Sequence, residues 1–361
     1  MRLFDFGIEL DINLTKGNKT LKRTKAKNTK QIGEQTVIFP NEPKIFSSHS
    51  IVSQKEKDGP FAGYFKDVLK DTKYQEKTFE KAETKMFVYA LHNAIENAGI
   101  TSKDIDVLFS GDLLAQIISS SYCARLFDIP YMGIYGACST MAEGLIFSAM
   151  LTDGGFAEIA ACVTGSHYAT AERQYRGPLE LGAQKQRYSQ HTVTAAAAAI
   201  VGLVKEGIKI TKATIGKVED YGITDPANMG AAMAPSAMST LMQFFIDTDT
   251  KPDDYDLIAT GDLGKLGSDL LRQLMDEKGY HLSQNYMDCG ASIYGHDQHT
   301  SEGGSGCGCG ASVLDAYILN KMNKGEYKKV IFAATGALLS TIVTQQGESM
   351  PSVTHLVLLE K

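Results

Sequence analysis

Cys138 stands in the string GACST (136–140), between an apolar run at 129–135 and a helix-like stretch rich in Ala, Met and Leu. A cysteine at the start of a helix faces unpaired amide N–H groups and the positive end of the helix dipole. That setting lowers a thiol's pKa and prepares a nucleophilic thiolate. The spacing therefore predicts a nucleophile at Cys138; the plainer alternative is a small buried hydrophobe. Cys123 and Cys162 lie in helix- and strand-like runs and read as core, as does Cys289 between Asp288 and Gly290. Cys307 and Cys309 form a Cys-x-Cys in a Gly-rich turn, GGSGCGCG (303–310). With no second cysteine pair to complete a zinc knuckle, no metal site is expected there. The glycines point instead to close approach of the backbone to a ligand or a facing helix, and the turn could present N–H groups to an anion.

Asp112 and Asp262 each end an apolar run in a Gly-Asp-Leu triplet. Either they face a shared cleft, where open α/β sheets collect ligands, or they cap the helices that follow. Segment 166–176 gathers His167, Glu172, Arg173 and Arg176 just after a strand-like run, a polar cluster that suggests a site.

A long-range repeat explains how these residues are positioned. DIDVLFSGDL (104–113) matches DYDLIATGDL (254–263), EIAACVTGS (158–166) matches KVIFAATGA (329–337), and the GACST turn-and-helix matches the Gly-rich turn at 303–310. Three pairs in the same order predict two duplicated halves, each reading strand–turn–helix–strand. Such βαβ units imply parallel strands covered by helices. The reading divides the chain into a basic appendage at 1–32, a first half at 33–206 and a second half at 207–361. Helix-like sequence runs over 74–98, before the first Gly-Asp-Leu strand, and over 266–278, after the second.

Composition sets the outer bounds. The chain has 361 residues, 43% of them hydrophobic, and a formal charge of −6. That suffices for one large core or two medium ones and leaves no overall basic footprint for nucleic acid. The longest uncharged apolar stretch, Thr192–Val204, falls far short of the ~20 residues that span a bilayer. No secretory h-region is visible, and six cysteines in so long a chain fit a reducing, intracellular compartment rather than a disulfide framework. Residues 16–30 hold seven basic residues and no acidic one. They read as a solvated, disordered tail or as a tether to an anionic membrane surface.

Two βαβ-type halves, a cysteine in GACST and a C-terminal Gly-rich turn resemble the thiolase and ketoacyl-synthase superfamily. More narrowly, the chain resembles the stage V AD family of sporulation proteins. That likeness rests on EKDGP (56–60), SGDLL (110–114), GACST (136–140), TAERQ (170–174), GKVEDYGITDP (216–226), MAPSA (233–237), GGSGCGCG (303–310) and ATGALLS (334–340), and covers about residues 33–361. The resemblance implies an α/β thiolase-like fold with a layered α-β-α-β-α core, usually dimeric. It also implies a role in spore formation and germination. There the family binds dipicolinic acid as part of the SpoVA apparatus, which moves calcium dipicolinate across the inner membrane of the developing spore. The implied location is peripheral on that membrane, beside the SpoVA membrane proteins. No cofactor is implied beyond Ca²⁺ accompanying the ligand.

The nucleophile position of the condensing enzymes carries over to Cys138. Thiolases place a catalytic His in a Gly-His-Pro turn, where this chain reads EGGSG with Gly304 at the His position. Ketoacyl synthases use a His and an Asn where this chain has GDL (261–263) and GGSG (303–306). Claisen condensation needs such groups to stabilise a thioester enolate, and losing one costs about 10²–10³ in rate. The resemblance thus points to a retained pocket without its acid–base groups. For the planar dianion dipicolinate, the expected ligand-binding residues are Asp112, Cys138, Ser139, His167, Arg173, Asp262, Gly304 and Ser305. Asp112 or Asp262 could instead hold the accompanying calcium. The alternative is an active Cys-dependent acyltransferase using Cys138.

Overall fold

The computed structural model describes residues 29–177, 179 and 186–361. The basic appendage assigned to 1–32 lies outside the described residues up to position 28. Its last two residues, Gln31–Ile32, pair as an antiparallel strand with Thr36–Val37.

The strands that build the body are β1 (Lys44–Val52), β2 (Val107–Gly111), β3 (Tyr131–Gly133), β4 (Ile159–Ser166), β5 (Ala195–Gly202), β6 (Ile208–Thr214), β7 (Leu257–Thr260), β8 (Tyr286–Asp288), β9 (Lys329–Ala337) and β10 (Ser352–Glu360). In the first half they lie in the order β1-β5-β4-β2-β3, and in the second in the order β6-β10-β9-β7-β8. The sense of pairing repeats as well. β5 is antiparallel to β1 and β4, and β2 is parallel to β4 and β3. Likewise β10 is antiparallel to β6 and β9, and β7 is parallel to β9 and β8. The duplication seen in the sequence is thus a duplication of topology. A short antiparallel contact, Ile45 with Ile208 and Lys44 with Lys209, joins the two sheets.

The helices of the body include α1 (Phe79–Asn97), α2 (Ile118–Ala124), α3 (Thr140–Asp153), α4 (Tyr168–Tyr175), α5 (Met229–Thr248), α6 (Gly264–Glu277) and α7 (Cys307–Val313). Strand residues alternate between two apolar cores, as a period of two requires when both faces are covered. On β5, Ala195, Ala197, Ala199 and Val201 face a central core shared with α3 and α7. Ala196, Ala198 and Ile200 face an outer core with α1. On β10, Val357 and Leu359 join the central core, while Leu356 and Leu358 pack with α5 and α6. The layers are therefore helix, sheet, the α3–α7 pair, sheet, helix.

Small residues let the central helices sit directly on strand backbone. A Cβ added to Gly308 on α7 would lie 2.4 Å from the Ala195 carbonyl oxygen. Glycine is the only residue that fits such an approach. Two features depart from the sequence reading. Thr36–Ile38, assigned to the first half, pairs with β6 of the second. It is held there by the Asp247 carboxylate, which accepts the Glu34, Gln35 and Thr36 amides at 2.9, 3.0 and 2.9 Å. And α5 precedes β7 as α1 precedes β2; Pro235 inside it obscured its helical pattern.

Candidate functional site

The turn from β3 into α3 presents Cys138. Ala137 adopts φ +48°, the left-handed region that costs a non-glycine residue about 1–2 kcal/mol. Side chains lock the turn in place. Ser139 Oγ donates to the Gly136 carbonyl at 2.6 Å, and Thr140 Oγ1 and Cys307 Sγ donate to that of Ala137 at 2.6 and 3.0 Å. From the other half, Gly336 at the end of β9 comes so close that a Cβ there would lie 2.0 Å from the Gly136 oxygen. The two halves thus clamp the turn between their strand ends.

Cys138 opens onto a cavity of 320 Å³, within the size range of small-molecule sites. Its walls are mostly apolar, including Leu113, Ala171, Pro226, Met229 and Leu339. Polar groups enter from Arg176, Thr192, Ser305 and Gln345. Behind the wall, Asp262 is fully buried and accepts the Gly306 amide at 2.9 Å and the Ser305 hydroxyl at 3.1 Å. Its other oxygen has no N–H or O–H donor among the described residues, and its side chain meets the Cys138 thiol. Burial, reinforced by the charge of Asp288, pushes the Asp262 carboxyl up to about 7.

The thiol corrects one expectation. The helix start was predicted to lower its pKa, but burial pushes it well above the ordinary thiol value, and the Asp262 charge adds to the rise. Desolvation of a thiolate beside a carboxyl outweighs the helix end. Cys138 is thus held as a neutral thiol, its Sγ 4.0 Å from Ser305 Oγ.

Of the residues predicted to bind ligand, the structure brings Cys138 and Ser305 to the cavity wall, with Asp262 directly behind them. The others are placed elsewhere. Asp112 is fully buried; its carboxylate accepts the Leu114 and Ser120 amides, both at 2.8 Å, and the Ser120 hydroxyl at 2.7 Å, fastening the loop into α2. His167 caps α4 through Nδ1, which accepts the Ala169 amide at 3.1 Å, while Nε2 donates to the Thr72 carbonyl at 2.6 Å. Burial holds that ring below its ordinary pKa, in one neutral tautomer. Arg173 turns away to pair with Glu80 on α1. Ser139 is consumed by its turn. The Gly304 carbonyl accepts the Gln190 side-chain amide at 2.9 Å, in a short strand pairing Gly304–Ser305 with His191–Thr192.

Sequence reasoning missed Tyr175, Thr192, Met229, Leu339 and Gln345 as wall residues, and chose Arg173 over Arg176. The signal was the repeat itself. Segments 167–176 and 338–345 follow the equivalent strands β4 and β9, and each supplies part of the wall. Among the described residues, no group of three or more His, Cys, Asp and Glu side chains is arranged to hold a metal ion. Nor, among the described residues, does an imidazole line the cavity.

Duplicated five-stranded sheets around two central helices, with a cysteine presented at the helix start, define a thiolase-like fold. Solved structures agree on the fold. 3-Oxoacyl-[acyl-carrier-protein] synthase III from Aquifex aeolicus VF5 superposes with a TM-score of 0.55 at 12% identity, covering 88% of this chain and 100% of that one. A variant of Xanthomonas campestris OleA gives 0.56 at 13%, covering 92% and 99%. The family model for stage V sporulation protein AD (SpoVAD) matches residues 33–360. Stage V sporulation protein AD of Bacillus subtilis (strain 168) is 42% identical over 332 residues, 92% of this chain and 98% of that protein. The chain belongs to the stage V sporulation protein AD family.

Proposed function

We propose that this protein binds dipicolinic acid in the Cys138 cavity without catalysing a condensation, and supports calcium-dipicolinate uptake into the developing spore. One observation carries the reading: among the described residues no imidazole lines the Cys138 cavity, and the buried Asp262 carboxyl and the glycine turn at 303–306 lie beside the thiol, where the likeness to condensing enzymes implies imidazole or amide groups that stabilise an enolate. Apolar walls suit the flat face of a pyridine ring, and the hydroxyls and guanidinium suit its carboxylates. Calcium enters this reading as cargo accompanying the ligand.

The proposed setting is the inner membrane of the forespore, with the SpoVA membrane proteins as partners and a homodimer as the working unit. The proposed association with that membrane is peripheral; among the described residues no helix is long and apolar enough to cross a membrane. Equilibrium dialysis with dipicolinate tests the reading. Saturable binding that disappears when Ser305→Phe fills the cavity supports it; absence of saturable binding by the intact protein contradicts it.

A second reading, an acyltransferase using Cys138, draws on the left-handed Ala137 turn that presents the thiol to the cavity. A mass increase on Cys138 after incubation with acyl-CoA thioesters would favour it. An unmodified thiol across chain lengths would remove it.

A further inference from the structure

We infer that Arg176 is the residue that selects an anionic ligand for this cavity, an inference that rests on the binding function proposed above. Arg176 is the one side chain on the cavity wall, among the described residues, that carries a fixed charge. The other ionisable wall groups, Cys138 and Tyr175, are both held neutral by burial. The Tyr175 hydroxyl is further occupied as a donor to the Leu113 carbonyl.

The guanidinium is held rather than loose. Nη1 donates to the Glu172 carboxylate one turn back on α4, and Nη2 donates to the Gln190 carbonyl at 3.2 Å. These contacts use two of the five N–H donors of a planar guanidinium and fix its plane. Glu172 lies off the wall while Arg176 lies on it, so the ion pair presents its positive end to the cavity. Such a braced cation loses little rotamer freedom when it accepts a carboxylate, which is how preorganised recognition gains affinity. Thr192 and Ser305 add hydroxyl donors on the same cavity. Arg173, three residues earlier, is committed to Glu80 and stacks against Phe79 on the outer surface, so it serves as a charge-matched control.

The test is isothermal titration with dipicolinate and with its uncharged dimethyl ester, using the full chain and the variants R176Q, R176K and R173Q. A lost charge-assisted hydrogen bond predicts that R176Q weakens dipicolinate binding by about 10–150-fold. The ester should change less than about threefold, R176K should recover part of the loss, and R173Q should match the parent. Should R176Q fail to fold by circular dichroism, R176K carries the test: a selective loss for dipicolinate supports the inference and equal losses for both ligands overturn it. If the parent binds dipicolinate and R176Q does so within threefold of it, the inference is wrong while the binding function stands. A parent that binds the ester but not dipicolinate overturns both, and so does one that binds neither.

Discussion

Replacing Asp262 by Asn should flatten the pH dependence of stability that this carboxyl imposes. Its folded pKa of about 7 lies above the ~3.9 of an exposed aspartate, because burial penalises the charged form. The folded protein therefore binds a proton that the unfolded chain releases, and stability must fall as pH rises through the folded value. A shift of that size corresponds to about 4 kcal/mol in total, of which about 3 kcal/mol is lost between pH 5 and pH 8. With an unfolding entropy near 2.1 cal/mol/K per residue over roughly 330 ordered residues, that loss is about 4 °C in Tm. D262N keeps an oxygen to accept the Gly306 amide and Ser305 hydroxyl but has no proton to lose. Asp288, pushed up to about 6, Glu143, pushed up to about 7, and His355, lowered to about 4, titrate in both proteins. The difference between the two melting curves therefore reports Asp262 together with its coupling to Asp288. Calorimetry at half-unit steps from pH 5 to 8 should show the parent losing about 4 °C relative to D262N. Parallel curves, or a parent that gains stability with pH, would refute a protonated Asp262 behind the thiol.

Native Cys138 should alkylate with iodoacetamide at pH 8 at least about tenfold more slowly than a free cysteine, and normally once unfolded. Peptide mass spectrometry reads the rate, and a native rate at or above that of free cysteine would mean the thiol is activated after all. Asp112→Ala should lower stability by about 1–3 kcal/mol for each amide it leaves buried and unpaired, without changing dipicolinate affinity at low temperature. A matching loss of affinity would return Asp112 to the binding site. Gly336→Ala drives a Cβ into the Gly136 carbonyl. It should cost about 3 kcal/mol or more and displace the Cys138 turn, and a melting temperature unchanged from the parent would show that the halves do not clamp that turn.

The fold was legible because duplication wrote it twice. The paired strings at 104–113 and 254–263 become β2 and β7, which hold equivalent places in two sheets of the same order. Alternation was hidden on β5, whose run of alanines is buried on both faces and so carries no polar period. The cavity was legible at Cys138, Ser305 and the neighbouring Asp262, where turn chemistry and the repeat converge. It was not legible at Arg173 and Arg176, because the choice depends on where α4 faces. Three residues along a helix turn one arginine toward Glu80 and the other toward the cavity, and neither identity nor spacing reveals which. His167 and Asp112 are placed off the cavity wall for a related reason. Polar residues at strand ends serve backbone amides as readily as ligands, and their partners at Thr72, Ser120 and Leu114 are fixed only by tertiary packing.

A crystal of the full chain soaked with dipicolinate would show directly where the ligand binds. Ligand density is expected inside the 320 Å³ cavity, with a carboxylate on Arg176 and the ring near Cys138 and Ser305. Saturating dipicolinate that leaves the cavity empty, or occupies only another surface, would contradict binding there.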